Sequence, residues 1–470
     1  MQMKDLIASG CLAVTALGAA TSWGAKEKGP PFPPCKRVKP PAVIGAETQA
    51  ERDARMAWFV NDRFGMFIHF GLYSLPAWHE WVKTRKVLSE EKYQEYFDNF
   101  NPDLFDAREW ARRAKAAGMK YMVLTSKHHE GFCLWDSKFT DYKITNTPFK
   151  RDLVREFVDA CRAEGLKVGF YYSLLDWHHP DFPVDPIHPR RPKGATCWGG
   201  VGTNEKSYEE INRGRDMKRY AQYMKDQIAE LLTNYGKIDL LWYDFSYPDR
   251  GKCWQEWDSV NLLALTRKLQ PGIIVNDRLD LSDTEGGWDF VTVEQRRADK
   301  WPMRNGRKVP WETCQTFSGS WGYARDEKTW KSPEELMSLL FETVSKGGNL
   351  ILNVGPTGRG EFDGRAKNRL DAMGAWMRVN SRAVYGCTRA PDEFVAPEGT
   401  LLTWNPKTRR LYLALVKYPE TGRLACAFAN RIRYAQFLHD ASEIERDGDA
   451  LVLPKDKPQG VQPVVEISVK

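Results

Sequence analysis

Asp244 closes the apolar run Leu240-Leu241-Trp242-Tyr243, so a carboxyl group is carried into aromatic surroundings with no cation near it in the sequence. A carboxylate so placed can attack an acetal carbon or activate water, provided that a second carboxyl group protonates the leaving oxygen. Glu294 and Glu312 are the candidates for that partner, and spacing favours neither. The plainer reading of Glu312 is a hydrogen bond beside Trp311, and of Glu294 an ion pair with Arg296 or Arg297. Two carboxyl groups about 5 to 5.5 Å apart would act with retention of configuration, and roughly 6.5 to 9.5 Å apart with inversion. Seven of the eight histidines fall between residues 69 and 188, which raises metal-dependent hydrolysis as a rival. Such sites usually also take ligands from late strands, and His69 lacks a partner at H-x-H spacing. His128 and His129 are therefore expected to serve ligand hydroxyls, with no metal or other cofactor. Gly355, Gly358 and Gly360 lack the Lys-Ser/Thr ending of a phosphate cradle and read as a loop.

Groups so far apart in the chain need a scaffold that gathers them. Apolar runs of four to seven residues alternate with amphipathic segments, the pattern of repeated strand-helix units around a parallel sheet. Eight strands are predicted: Phe64 to Phe70, Tyr121 to Thr125, Lys167 to Ser173, Ile238 to Asp244, Ile273 to Asp277, Phe290 to Glu294, Trp311 to Thr316 and Leu350 to Val354. The helix over Arg151 to Gly165 is the clearest, with Leu153, Val154, Phe157, Val158 and Cys161 on one face. The fold class is α/β, a TIM-like (β/α)8 barrel over residues 57–384, where reactive groups sit at the C-terminal strand ends. The runs end on or carry His69; Lys127, His128 and His129; Tyr171 and Tyr172; Asp244; Asp277 and Arg278; Glu294; Glu312; and Asn353. From Tyr385 the texture changes to short strand-like runs, read as a small C-terminal β-sandwich over 385–470. The Pro- and Gly-rich stretch from Pro180 to Asn212, with His178 and His179 before it, is expected to cover the barrel mouth.

With 42% hydrophobic and 28% charged residues, the 470-residue chain has an ordinary globular composition. A formal charge of +7 over this length is too mild for the basic footprint of a nucleic-acid binder. The 18 Trp offer rigid faces for sugar rings. Residues 1–25 read as a secretory signal and 26–56 as a Pro-rich leader, so export to the periplasm or medium is expected. A lipoprotein anchor at Cys11 is disfavoured because the apolar run follows that cysteine, and no later stretch is long enough to span a membrane. The eight cysteines beyond the signal contain no C-x-x-C pair and are expected mostly as buried thiols. Arg190, Arg191, Lys193, Arg304, Arg307 and Lys308 are expected near the mouth, where they would favour anionic substrates such as sulfated polysaccharides.

Several motifs, in order, carry a resemblance: Phe64-Gly65-Met66-Phe67-Ile68-His69-Phe70-Gly71, Lys127-His128-His129-Glu130-Gly131-Phe132, Gly169-Phe170-Tyr171-Tyr172-Ser173, Leu241-Trp242-Tyr243-Asp244, Asn276-Asp277-Arg278, Trp311-Glu312-Thr313-Cys314, Ser320-Trp321-Gly322-Tyr323 and Gly347-Gly348-Asn349-Leu350. Over about residues 57 to 385 the chain resembles the α-L-fucosidases of glycoside hydrolase family 29. The resemblance implies a barrel with a C-terminal β-sandwich and a retaining exo-hydrolase that removes terminal α-L-fucose through a covalent glycosyl-enzyme. It implies Asp244 as nucleophile, with His69, Glu80, Trp81, His128, His129, Tyr171, Arg278 and Trp321 lining the fucose subsite. Family members differ in their acid/base, which leaves Glu294 and Glu312 both open, with Glu294 preferred because it ends strand six. Glu130 stands where an Asp is common in the family. An α-L-galactosidase of the same family and a non-catalytic carbohydrate-binding barrel are the alternatives.

Overall fold

The computed structural model describes residues 35–36, 38–45, 47–246, 252–460 and 462–470. The signal expected at 1–25 and part of the leader lie outside the described residues. Eight parallel strands, β1 (Phe64–Ile68), β2 (Tyr121–Lys127), β3 (Lys167–Ser173), β4 (Leu240–Asp244), β5 (Ile274–Val275), β6 (Val291–Glu294), β7 (Trp311–Thr316) and β8 (Asn349–Val354), form one sheet in the order β5-β4-β3-β2-β1-β8-β7-β6. A parallel bridge from Asn276 to Phe290 joins the two edge strands and brings the curled sheet round into a barrel.

Side-chain alternation divides the apolar residues of each strand between two cores. Phe67, Tyr121, Val123, Tyr171, Leu240, Trp242, Cys314 and Ile351 pack inside the barrel. Met66, Ile68, Met122, Leu124, Val168 and Phe170 pack outward against the helices. Those helices are α1 (Gln49–Asp62), α2 (Ala107–Ala116), α3 (Leu153–Ala163), α4 (Met217–Thr233), α5 (Ser259–Leu269), α6 (Pro333–Ser345) and α7 (Gly364–Asn380), with shorter helical turns between them. Helix α3 starts where Asp152 accepts from the Arg155 amide, and it buries the apolar face read from the sequence. Each large side chain on that face contributes about 1.5–3 kcal/mol. Two crossovers depart from the expected strand-helix repeat. Residues 276–290 form turns, and residues 295–310 carry a small hairpin of Met303–Arg304 and Arg307–Lys308, turned at Asn305-Gly306 with φ of 48° and 74°.

Beyond α7, β9 (Thr388–Arg389), β10 (Thr400–Asn405), β11 (Arg410–Leu415), β12 (Arg423–Ala425), β13 (Ile432–Phe437), β14 (Glu445–Asp447), β15 (Ala450–Val452) and β16 (Val464–Val469) build two antiparallel sheets, β9-β10-β11-β16-β13 and β12-β15-β14. They share a core that includes Leu411, Leu413, Phe428, Phe437, Leu451 and Ile467. The Trp376 indole donates to the Gln462 carbonyl at 3.0 Å and ties this unit to α7.

Before the barrel, residues 35–36 and 38–45 lie across the loops that follow β4 and β5. Val43 bridges Glu285, Trp254 donates to the Val38 carbonyl at 2.9 Å, and Cys35 is disulfide-bonded to Cys253. The cysteines at 133, 161, 197, 314, 387 and 426 are buried free thiols, as expected for most of them. Among the described residues no helix is long and apolar enough to cross a membrane.

Candidate active site

Asp244 continues the inward-facing line of Leu240 and Trp242 to the C-terminal end of β4. The Tyr171 hydroxyl donates to its Oδ2 at 2.8 Å, and Arg278 Nη1 donates to its Oδ1 at 2.9 Å. His129 Nε2 lies 4.0 Å from the same carboxylate. Burial pushes the Asp244 carboxyl up, Arg278 opposes that, and neighbouring Glu294 adds to it. Arg278 Nη2 donates to Glu294 Oε2 at 2.7 Å, so one guanidinium spans both carboxylates. Its position is fixed from below, where its carbon sits 4.9 Å over the Trp242 ring. No sequence rule links Arg278 to Glu294, which lies beyond the whole β5–β6 connection.

Glu312 is placed elsewhere, and its reading as a strand-end group is corrected here. Strand β7 begins at Trp311, so Glu312 is near its start. Cys314, two residues further along, is the one in register with Glu294. Glu312 points into the barrel floor, where it accepts from the Tyr121 hydroxyl at 2.6 Å and from the Trp242 indole at 3.3 Å. It is wholly buried, and burial pushes its carboxyl up to about 8. Gly65 makes room for this floor, since a β-carbon there would meet the Tyr121 ring at 2.3 Å. Glu312 therefore supports Trp242 from beneath.

The remaining candidates form the pocket wall. His69 Nδ1 pairs with Asn353 Oδ1 at 2.6 Å, and burial lowers the ring to about 4. His128 stacks on Tyr171 at 5.6 Å, and its buried Nδ1 has no partner among the described residues. His129 Nδ1 pairs with Ser173 Oγ at 2.7 Å. Burial holds both rings well below the usual imidazole value, so they are neutral donor-acceptors at pH 7. Trp321 lies 5.0 Å from the His69 ring, and its carbonyl accepts from Asn353 at 2.6 Å. Glu80 acts one layer back: its Oε2 accepts from the amides of Trp321 and Gly322 at 3.1 and 3.0 Å, and its Oε1 pairs with His79 at 3.1 Å. Burial opposes its charge, but His79 and the Gly322 amide hold the carboxyl below its usual value.

Trp81 anchors an aromatic cluster that the sequence did not reveal as a unit. Its ring meets His129 at 4.9 Å, Trp177 at 5.3 Å, Phe245 at 5.4 Å and Trp198 at 4.3 Å. Trp198 comes from the long loop after β3, so that loop does reach the mouth. Phe245 follows Asp244 with φ 72° and Trp198 has φ 41°, a left-handed backbone that bulky residues rarely adopt and that clusters at functional sites. The αL geometry was the missed signal, and it is not visible in sequence.

Other strand-end residues turn away. Tyr172, one residue from Tyr171, faces outward and donates to Gln227 on α4 at 2.8 Å. Lys127 is buried in an ion pair with Asp176 at 3.1 Å and lies 4.4 Å over the Tyr172 ring. Asp277 accepts from the Thr292 amide at 3.0 Å. His178 stacks on Tyr142 at 3.8 Å, and His179 lies tilted against Tyr223 at 4.2 Å. The basic residues expected together at the mouth are dispersed. Arg191 is buried, donating to Thr84 Oγ1 at 2.8 Å, and Lys193 pairs with Glu205 at 2.8 Å. Arg304, Arg307 and Lys308 line a cavity with residues that precede β1, β7 and β8, at the opposite barrel face. Among the described residues one trio of metal-ligand type is close enough to share an ion, Cys35, Cys253 and Glu256, and its two sulfurs are bonded to each other.

A family model described as Alpha-L-fucosidase matches residues 41–382. The plasma alpha-L-fucosidase of Homo sapiens is 33% identical over 406 residues, covering 79% of this chain and 79% of the relative. Among solved structures, alpha-L-fucosidase isoenzyme 1 from Paenibacillus thiaminolyticus superposes with a TM-score of 0.81 at 40% identity, covering 89% of this chain and 99% of that one. A GH29 alpha-L-fucosidase from Bacteroides thetaiotaomicron, captured as a trapped covalent intermediate with 2-fluoro-fucosyl fluoride, gives 0.76 at 29% identity, covering 92% and 100%.

Proposed function

The chain belongs to the alpha-L-fucosidase family and is a glycoside hydrolase, and on that premise we propose that it works as a retaining exo-enzyme with Asp244 as nucleophile and Glu294 as acid/base. The observation that carries this reading is the Arg278 guanidinium bonded to both carboxylates, which keeps them within reach of one anomeric centre. Asp244 forms a bond to C1 as the C1–O bond to the aglycone breaks, and Glu294 gives its proton to the leaving oxygen. Glu294 then takes a proton from water, whose oxygen bonds C1 as the bond to Asp244 breaks, releasing fucose with its α configuration. Arg278 and Tyr171 support the anionic nucleophile between turnovers, since both stabilise a charge that burial disfavours. His69, His128 and His129 serve the fucose hydroxyls, and the unpartnered His128 Nδ1 is one atom a hydroxyl would satisfy. The aromatic groups around Trp81 wall the apolar edge of a 6-deoxy sugar. A hydroxyl added to that methyl is rejected by only about a hundredfold in such a pocket, so α-L-galactosides are slow substrates.

Sulfated fucans belong to the same proposal on the strength of the formal charge of +7. Equal turnover of neutral and sulfated fucosides would remove them. Export follows from the signal-like start, and the Cys35–Cys253 disulfide supports an oxidising compartment. The test of mechanism is proton NMR of the first fucose released from an aryl α-L-fucoside. The α-anomer should appear first, and β-fucose appearing first would overturn retention.

A further inference from the structure

A cavity of about 870 Å³ lies apart from the catalytic pocket. It opens at the N-terminal face of the barrel, where the two crossovers without helices leave the flank of α1 uncovered. Its walls come from α1, the 282–288 turn and the 303–308 hairpin, with Gly386, Thr388 and Pro406 of the C-terminal unit along one rim. The volume lies in the range of sites that hold organic ligands of several rings.

The lining carries an excess of positive charge. Arg52, Arg63, Arg304, Arg307 and Lys308 contribute five cations, against Asp53, Asp283 and Glu285. Among the described residues, only Arg304 of the five has a carboxylate within ion-pair distance, Asp277 at 3.8 Å. Arg52 donates to the carbonyls of Trp288 and Asp289 and lies 5.4 Å over the Trp288 ring. Lys308 lies 5.3 Å over the Trp301 ring. Arg63 is the most telling. It is 5% exposed, and its bonds go to neutral acceptors, the carbonyls of Cys387 and Gly347 and the side chain of Asn349. A guanidinium buried without an anion carries a desolvation cost that an incoming anion would offset.

We propose that this cavity is a second, non-catalytic saccharide site that binds a sulfated oligosaccharide, holding an anionic polysaccharide at the barrel face opposite Asp244. Sulfate suits it because a strong-acid anion keeps its charge at any working pH and offers several oxygens to forked guanidinium donors. The choice of a saccharide rests on the glycosidase reading; the anion preference rests on the lining alone.

The experiment uses the full chain, titrated calorimetrically with dextran sulfate oligosaccharide and with neutral dextran of equal length, in saturating free fucose. Dextran sulfate should bind, neutral dextran should not, and fucose should not displace the ligand. Arg307→Ala/Lys308→Ala, on an exposed hairpin, should weaken binding about tenfold or more, about 1.4 kcal/mol, with unchanged kcat/KM on an aryl α-L-fucoside. Undiminished binding by the double variant, equal binding of neutral dextran, displacement by fucose or no binding would each overturn the proposal. If the double variant melts early, hydrogen exchange of the wild type decides instead: dextran sulfate should protect residues 301–309, and no protection there overturns the site. An inactive enzyme that still binds would refute the fucosidase mechanism and leave the anion site standing.

Discussion

Glu312→Gln separates the two candidate acids with a readout that does not depend on turnover. Sealed beneath Trp242, the Glu312 carboxyl is pushed from 4.5 up to about 8 by burial, against donation from Tyr121 and Trp242. Between those values the folded protein holds a proton that the unfolded chain has lost. Wild-type stability should therefore fall as pH rises through that window, by about 1.4 kcal/mol per pH unit and of order 5 kcal/mol across it. Glutamine has the shape of the neutral acid and no such proton, so its contribution is flat. The unfolding free energy of Glu312→Gln minus that of wild type should climb by about 1.4 kcal/mol per unit between about pH 5 and 8. Denaturant titrations at unit pH intervals measure that slope, and parallel curves would refute the assignment of a buried neutral acid. On the same samples Glu312→Gln should keep kcat/KM on an aryl α-L-fucoside within about threefold, while Glu294→Gln should lose about 10²–10⁴, the usual contribution of a positioned acid/base. The opposite ranking would make Glu312 the acid and refute the argument from depth.

Asp244→Gly should lose hydrolysis, and added azide should restore turnover with β-fucosyl azide as product; α-fucosyl azide would contradict the nucleophile assignment. Tyr171→Phe removes a hydrogen bond that favours the Asp244 anion. The acid limb of its kcat/KM profile should move up by about one pH unit or more, and an unmoved limb would mean that the limb reports another group. Cys35→Ser should speed protease cleavage within residues 36–45 while leaving barrel unfolding unchanged, because the disulfide pins that segment to the loop after β4; equal cleavage rates would show that Val43 and Trp254 suffice. Trp198→Ala should raise KM for oligosaccharides more than for an aryl fucoside, since Trp198 stands at the mouth against Trp81, and equal effects would place it outside the aglycone path.

Much of the scaffold was legible because period-two alternation is a local property. The inward Leu240-Trp242-Asp244 line and the apolar face of α3 both follow from side-chain geometry along one element. The missing helices after β5 and β6 were not legible, since a crossover needs only to return the chain, and short turns and a hairpin do that as well. The misplacement of Arg304, Arg307 and Lys308 has the same origin. With no helix between β6 and β7, the hairpin sits on the flank that leads down to the start of β7, where its basic residues line the cavity beside α1.

The sequence by itself determined that Asp244 ends a buried strand, that seven of the eight histidines fall between residues 69 and 188, and that two glutamates stood as possible partners. Only the tertiary structure places those two at different depths. Depth inside a barrel is set by the stagger of neighbouring strands, a long-range property that no spacing along the chain encodes. Pairing Cys314 with Glu294 drops Glu312 two residues towards the floor, and the two carboxyl groups then differ in the only respect that matters to the chemistry. One meets the guanidinium that also holds Asp244, and the other meets an indole and a phenol in the dry interior.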